Sequence, residues 1–175
     1  MKFRAVIPAI AVGVSLIACT RPFPPAPEST DTVAQTANRA TSSAAPGPQS
    51  GQSGATLDID TATGAGYYTV GNWRAVPVDA QIIPAKGVMY AVDVRIVANT
   101  GALPVNGFYF AVRTADGSTI APAVGAVRPG ITYGQLTQGQ SVEGHVAFDL
   151  APGTAVTGVI LRDPAGKQLA FWSLS

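Results

Sequence analysis

Apolar and polar side chains alternate along most of the chain beyond residue 57. One segment carries an apolar side chain at every second position: Val88, Tyr90, Val92, Val94 and Ile96. Another repeats the pattern at Val142, Val146, Phe148 and Leu150. Because successive side chains of a β-strand point to opposite faces, a period of two predicts strands with one buried face. No long window in this region has the apolar spacing of a helix.

About seven short strands follow from this pattern. They cover residues 57–61, 73–83, 88–97, 108–113, 142–150, 156–162 and 169–174, and the second is bent or ends near Pro84. Turn residues separate them, and Asp163, Pro164 and Gly166 have the order of a type I turn. Several short strands with frequent turns predict an all-β fold, an antiparallel β-sandwich of the immunoglobulin type. The single Cys excludes an intramolecular disulfide, so packing alone must hold the core.

The N-terminus has the features of an export signal. Lys2 and Arg4 precede an uncharged run over residues 5–18, which is short for a membrane-spanning helix. The run ends in Leu16-Ile17-Ala18-Cys19, which resembles the lipobox of bacterial lipoproteins. The resemblance implies a diacylglycerol thioether on Cys19, cleavage before it, and acylation of the new N-terminus. This predicts a lipid-anchored protein on the extracytoplasmic face of the cell membrane. The alternative is an ordinary secretory signal with a chance cysteine.

Composition separates a linker from the folded part. Pro, Ser, Thr, Gly and Ala make up most of residues 20–56, where Phe23 and Val33 are the only large apolar side chains. Such a segment buries too little surface to offset its ordering entropy. We therefore expect a signal peptide over residues 1–18, a lipidated Cys19 with a disordered tether over 19–56, and one sandwich domain over 57–175.

The charge balance limits the kinds of partner that we expect for this chain. Eleven Lys and Arg face ten Asp and Glu, a formal net charge of +1, which lacks the basic excess of a nucleic-acid-binding protein. Loss of Lys2 and Arg4 with the signal leaves nine basic against ten acidic side chains. A chain of that balance gains nothing from anionic headgroups, so membrane attachment is expected to rest on the lipid of Cys19 alone.

The search for catalytic and metal-binding residues identifies none. His145 shares its predicted strand face with Glu143 and Asp149, but no G-x-S-x-G nucleophile motif occurs, which favours a surface histidine. Asp58 and Asp60 lie two apart and lack the further oxygen ligands that Ca²⁺ needs, which favours a solvated strand edge. We expect no cofactor, no metal and no enzymatic activity.

The aromatic residues suggest a contact surface. Phe108 and Phe110 are expected in the core, so that Tyr109 points outward, where Tyr67, Tyr68 and Tyr133 would join it. The alternative is that Tyr109 is covered by a loop such as the Gly-rich segment 121–134. That segment is the longest irregular stretch, and long loops often carry function.

The C-terminal half resembles a known family. Residues 113–117 (Arg-Thr-Ala-Asp-Gly), 138–141 (Gln-Gly-Gln-Ser), 144–149 (Gly-His-Val-Ala-Phe-Asp) and 169–172 (Leu-Ala-Phe-Trp) carry the resemblance. Their order is similar to that in the small secreted immunoglobulin-like antigens of mycobacteria, the immunoprotective extracellular protein family with a telokin-like sandwich. The resemblance spans roughly residues 73–172. It implies a fold and an extracytoplasmic location, and it implies no catalytic residues.

Two functional hypotheses follow. The first is a non-catalytic lipoprotein of the cell envelope that acts in protein binding or envelope structure. The second is a carrier for a small apolar or lipid ligand, held between the sheets or under the 121–134 loop, as the high aliphatic content and low charge would allow. A contiguous apolar cavity of several hundred Å³ would favour the carrier, and a fully packed core would favour the binding protein.

Overall fold

A computed structural model describes residues 47–174. The predicted signal peptide, Cys19 and most of the predicted tether lie outside these residues. Ten strands occur in the described part: β1 (Gln49–Gln52), β2 (Thr56–Asp60), β3 (Gly64–Ala75), β4 (Val88–Val105), β5 (Phe110–Thr114), β6 (Thr119–Ile120), β7 (Gly134–Thr137), β8 (Ser141–Leu150), β9 (Val156–Arg162) and β10 (Gln168–Ser173). One-turn 3₁₀ helices at Val78–Ala80 and Gly107–Tyr109 connect some of them.

The strands form two sheets that pack as a sandwich. The first sheet has the order β1-β10-β9-β5-β6. In the second sheet β2, β3, β4 and β8 lie side by side, and β7 pairs with the C-terminal end of β4 beyond the part that pairs with β8. All pairings are antiparallel except that of β1 with β10. The all-β sandwich predicted from the alternating pattern is confirmed.

The core lies between the inner faces of the two sheets. Alternate residues of β4, namely Val92, Val94 and Ile96, face Val159 and Leu161 of β9 and the end of β10. Trp172 is fully buried there, as its place in the last strand predicted, and its indole Nε1 donates to the Ala55 carbonyl at 2.8 Å. Phe110 and Phe148 fill the space around it, so large side chains occupy the interior between the sheets.

The domain begins earlier than predicted. The predicted tether extended to residue 56, but β1 adds four residues, Gln49–Gln52, to the edge of the first sheet. Ala55 and Leu57 then pack against the core. This strand is polar throughout, so the hydrophobic pattern carries no sign of it, and its backbone pairing with β10 is what orders it. The prediction that residues 49–56 belong to a disordered tether is therefore wrong.

Three further predictions need correction. The strand predicted over 73–83 ends at Ala75, because Pro77 begins a 3₁₀ turn, and it starts at Gly64 instead. Glycine is required near that start, since a Cβ on Gly66 would lie 2.6 Å from the Val97 carbonyl oxygen. Phe108 is not in the core but 66% exposed, because the 3₁₀ turn at Gly107–Tyr109 breaks the alternation. The strands number ten rather than seven because β1, β6 and β7 are too short or too polar to show a pattern.

The segment between β6 and β7 covers the outer edge of β8. Pro129 accepts a hydrogen bond from the His145 amide at 2.7 Å, and the Ile131 amide donates to the His145 carbonyl at 3.0 Å. Ala126 and Val127 of this segment bury Met89, Ala91 and Ala147 on the outer face of β4 and β8. The segment thereby covers the middle of this edge of β8, around His145 and Ala147.

Candidate functional site

Charged side chains converge on the outer face of the second sheet. The pairing of β3, β4 and β8 puts Gly71, Asp93 and His145 in one row and Thr69, Arg95 and Glu143 in the next. Alternation sends these side chains away from the core, because Val92, Val94 and Ile96 point inward. The Gly54 turn and Pro129 border this row on its two sides, and together they enclose a shallow groove of about 490 Å³.

A β-bulge in β3 brings two side chains onto one carboxylate. The register slips between Gly71 and Arg74, and Asn72 takes a φ of +54°. The left-handed region is costly for most residues and mildest for Asn and Asp. The extra residue lets both Asn72 and Arg74 reach Asp93: Asn72 Nδ2 donates to Oδ2 at 2.7 Å and Arg74 Nη1 to Oδ1 at 2.6 Å. Bulges commonly re-aim side chains in this way.

Asp93 is the centre of this cluster. Its Oδ1 also lies 2.7 Å from His145 Nδ1, so three side chains from two neighbouring strands converge on it. Partial burial works against ionisation of Asp93, but the hydrogen bonds from Asn72 and Arg74 and the charges of Arg74 and His145 outweigh it. The pKa of Asp93 is therefore lowered. These partners hold the carboxylate of Asp93 in its ionised form.

Asp93 and His145 resemble the aspartate and the histidine of a catalytic triad. Asp93 orients the His145 ring through Nδ1, as an aspartate does beside a catalytic histidine. No hydrogen bond joins a Ser, Thr or Cys side chain to the ring within residues 47–174. Groups of three or more His, Cys, Asp or Glu with metal-binding geometry do not occur in that range either. The contacts of Asp93 with Asn72, Arg74 and His145 join β3, β4 and β8 to one another.

The two carboxylates predicted near His145 have other roles. Glu143 pairs with Arg95 at 2.8 Å, and both side chains are more than half exposed. Asp149 accepts the backbone amides of Lys86 and Gly87 at 2.8 and 2.9 Å, and these hydrogen bonds lower its pKa. Asp149 thus fixes the chain at the start of β4. The partner of His145 is Asp93 on the neighbouring strand.

The four tyrosines predicted as a contact surface do not share one. Tyr133 is 86% exposed, and Tyr67 is exposed on the outer face of β3. Tyr68 is buried. Its burial and, to a smaller extent, the nearby Tyr109 raise the pKa of its phenol. Tyr109 is half-buried against the core. Tyr68 is thus excluded as a contact residue, because neighbours on a strand point to opposite faces and Tyr67 takes the outer one.

Phe108 and Tyr133 form the main exposed aromatic feature. Val105 of β4 pairs with Gly134 of β7, so the residues just beyond each strand end lie next to one another. Close approach is confirmed at Gly107, where a Cβ would lie 2.6 Å from the Ile131 carbonyl oxygen. Asn106 holds the intervening turn by accepting from the Phe108 amide at 3.0 Å. Two large aromatic side chains are thereby presented to solvent from adjoining segments.

A cleft of about 690 Å³ lies at the end of the sandwich where β1 begins. Ile59, Pro104 and Leu169 give it apolar walls, and Asp58, Asp60 and Lys167 lie at its border. The paired carboxylates Asp58 and Asp60 are exposed on β2, the edge strand of the second sheet, as expected for a solvated edge. The cleft lies beside the turns at this end of the sandwich, and Ile59 in its wall belongs to the core.

The comparison with protein families identifies the domain. Residues 48–172 match the model of a domain of unknown function, DUF1942. The chain belongs to this family. The match begins one residue before β1 and ends at Trp172, so the family's domain coincides with the sandwich and includes the strand that the sequence pattern missed. None of the curated proteins is significantly similar in sequence to this chain.

Two solved structures share the fold. One is the crystal structure of MPT63, a secreted protein from Mycobacterium tuberculosis, with a TM-score of 0.63 and 21% identity over 72% of this chain and 97% of that chain. The other is the yjhA protein from Bacillus subtilis, with a TM-score of 0.51 and 13% identity over 71% of this chain and 99% of that chain. The predicted resemblance to the mycobacterial immunoprotective extracellular proteins is confirmed.

The sequence analysis missed the members of the charged cluster other than His145. Asn72, Arg74 and Asp93 lie far from His145 in the chain and meet it only through the pairing of β3 and β8 with β4. Asp93 was visible as a charged residue on the polar face of a strongly alternating strand. Its partner could not be read from the sequence, because strand register depends on pairing across the sheet.

Proposed function

We propose that the protein is a lipid-anchored, extracytoplasmic, non-catalytic binding protein of the cell envelope. Cys19 carries the lipid, the residues between it and β1 form the tether, and the sandwich is the binding domain. The observation that carries the proposal is the Leu16-Ile17-Ala18-Cys19 run ahead of a folded domain that begins at Gln49. The secreted location of MPT63 supports export of a domain with this fold.

The surface of the sandwich supports a role in binding. Phe108 is 66% and Tyr133 86% exposed on adjoining segments, and exposed aromatic side chains are typical of contact surfaces. The histidine cluster supports a non-catalytic role, since the carboxylate of Asp93 ties neighbouring strands together through its hydrogen bonds. Within the described residues no helix has the length and hydrophobicity to cross a membrane.

Replacement of Cys19 tests the anchor. Wild-type protein expressed in its own host should partition into detergent, and its mass should exceed that of the cleaved chain by the attached acyl groups. Cys19→Ser should abolish acylation and leave the protein in the aqueous phase or its precursor uncleaved. Ser15→Ala is the matched control inside the signal and should leave both properties unchanged. Unaltered mass and partition of the Cys19→Ser protein would refute the anchor.

A carrier for an apolar ligand is the second candidate, and the cleft at the start of β1 favours it. Its volume of about 690 Å³ and its apolar walls at Ile59, Pro104 and Leu169 suit a small ligand. The filled core argues against the place first expected, between the sheets. A fluorescent fatty acid should bind to the protein, and Leu169→Asp should weaken that binding. Absence of binding to the wild-type protein would dismiss the carrier.

A further inference from the structure

Two arginines lie on the outer face of the first sheet without a carboxylate. Arg113 belongs to β5 and Arg162 to β9, and both are half-buried. The ion pairs among residues 47–174 use Arg74, Arg95 and His145, and none of them includes Arg113 or Arg162. The nearby acidic residues Asp116 and Asp163 each accept hydrogen bonds within their own turn.

Neutral partners hold both guanidinium groups in place. Arg113 Nη2 donates to Gln168 Oε1 at 2.8 Å, and Arg162 Nη2 donates to Thr119 Oγ1 at 3.3 Å. The carbon of the Arg113 guanidinium also lies 5.0 Å from the centre of the Phe171 ring. That ring rests on Gly158, where any side chain would overlap it. The orientation of both arginines is therefore set before any ligand arrives.

The strand register brings the two arginines over the same patch. Gln168, the acceptor for Arg113, lies directly opposite Arg162 in the pairing of β10 with β9. Thr119, the acceptor for Arg162, lies directly opposite Arg113 in the pairing of β6 with β5. The Arg113 side chain thus reaches the residue opposite Arg162, and the Arg162 side chain reaches the residue opposite Arg113. The two side chains run in opposite directions across the same face. Their stems account for the burial of Ile160 and Ala111, which point outward from the sheet.

Most donors of this pair are unused. A guanidinium has five N–H groups in a planar fork and never loses its charge near neutral pH. Each arginine here has one hydrogen bond to a neutral side chain. One carboxylate would be satisfied by one fork, whereas a phosphate group has more oxygens and more charge and can accept from two.

We propose that Arg113 and Arg162 form a binding site for a phosphate group on the outer face of the first sheet. A free phosphate compound and a lipid headgroup present the same oxygens to an open face, so the site accepts the phosphate of either source. The site is independent of the anchor at Cys19 and of the aromatic pair. It also revises the expectation that membrane attachment gains nothing from anionic headgroups, because the charges are unevenly distributed over the two sheets.

The test uses the full mature chain with Cys19→Ser, so that no lipid is attached. Binding is measured by calorimetry with inorganic phosphate and by flotation with vesicles of phosphatidylglycerol or of phosphatidylcholine. Arg113→Met and Arg162→Met remove the charge and keep an apolar stem over Ile160, and Arg95→Met on the second sheet is the matched control. Thermal melting of each variant checks the fold, and Arg113→Lys serves if a Met variant fails to fold.

We expect each Met variant to weaken binding at least ten-fold and Arg95→Met to leave it unchanged. Arg113→Lys should retain part of the affinity, since it keeps the charge and loses the fork. Binding of free phosphate identifies a soluble source, and binding of phosphatidylglycerol vesicles alone identifies a lipid headgroup; either outcome supports the site. The proposal is overturned if neither probe binds, or if both bind equally well to the folded Met variants.

Discussion

The outer faces of the two sheets use their arginines in opposite ways. On the second sheet Arg74 and Arg95 are each paired with a carboxylate, Asp93 and Glu143. On the first sheet Arg113 and Arg162 have only neutral partners among residues 47–174. The two faces contain the same residue type on neighbouring strands of one domain. The difference shows that the partner of an arginine decides its role. An arginine paired with a carboxylate joins neighbouring strands, whereas an arginine with neutral partners keeps its charge available to an anion.

The outer faces of the two sheets also differ in what covers them. The chain between β6 and β7 lies along β8 and buries part of the second sheet's outer face through Ala126 and Val127. On the first sheet the side chains of Arg113, Arg162 and Phe171 are themselves the cover over Ile160. Side chains that serve as cover can still present their charged ends to a ligand, because only their stems are buried. The first sheet is therefore covered by its own side chains, whereas the chain segment between β6 and β7 covers part of the second sheet.

The largest loss of stability is expected from a change at Trp172, a core residue of the first sheet. Trp172→Ala removes a fully buried side chain and its hydrogen bond to Ala55, a loss of roughly 3–5 kcal/mol, which would unfold the domain or sharply lower its melting temperature. Phe171→Ala on the outer face should cost much less, about 1 kcal/mol, because that ring is only partly buried. Urea denaturation compares the two. The reverse order would mean that the faces of β10 are assigned the wrong way round.

Removal of the segment before Leu57, which contains β1, is next in size. It acts mainly on the edge of the first sheet and also removes the hydrogen bond from the Gly54 amide to the Val70 carbonyl of the second sheet. A chain that begins at Leu57 loses the pairing of Gln49–Gln52 with β10 and the carbonyl of Ala55 that accepts from Trp172. Each lost backbone hydrogen bond is worth about 1 kcal/mol net, so the melting temperature should fall on the order of 10 °C. A chain that begins at Gly47 is the control and should melt like the full mature protein. Equal melting of the two truncated chains would contradict the role of β1.

The charge cluster on the second sheet should have a moderate, pH-dependent effect. Asp93→Asn should cost about 1 kcal/mol near neutral pH, since the cluster is partly exposed to solvent. The pKa of Asp93 is lowered in the folded state, so its ionised form stabilises the protein above the ordinary pKa of about 3.9. That contribution is lost as the pH falls through the folded value. Urea midpoints of the two proteins should therefore differ above pH 5 and converge below pH 4.

The convergence has an internal control. Asp116 and Asp149 also have lowered pKa values, but they are present in both proteins, so their effects cancel in the difference. A difference in midpoint that persists unchanged into the acid range would show that Asp93 acts through packing and not through its charge.

The smallest effect is expected for the exposed pair on the second sheet. Arg95 and Glu143 are both more than half exposed, and surface ion pairs of this kind contribute about 0–1 kcal/mol. Glu143→Gln should lower the free energy of unfolding, measured by urea denaturation, by less than about 0.5 kcal/mol. Arg95 would then lack its carboxylate and resemble Arg113. A loss as large as that of Asp93→Asn would mean that this pair belongs to the structural cluster.

The sequence predicted the two sheets more fully than their surfaces. Strong alternation predicted the position of β8 and the buried faces of both β4 and β8, and Trp172 was correctly placed in the core. This alternation predicted only residues 88–97 of β4, which continues to Val105. The polar strand β1 was missed because only pairing with β10 orders it, and Phe108 was misplaced because a 3₁₀ turn interrupts the period of two. Both surface sites depend on register: His145 meets Asp93, and Arg113 meets Gln168, only across paired strands. Local patterns hold no information about such distant partners.

The most direct test of the contrast between the two faces follows all four of these arginines in one titration. The Nε–Hε signals of Arg74, Arg95, Arg113 and Arg162 can be assigned by single substitutions and followed by NMR as inorganic phosphate is added at constant ionic strength. The unequal pairing of the two faces predicts shifts for Arg113 and Arg162 that saturate together, while the signals of Arg74 and Arg95 stay in place. Equal shifts of all four signals, or saturating shifts confined to Arg74 and Arg95, would contradict it.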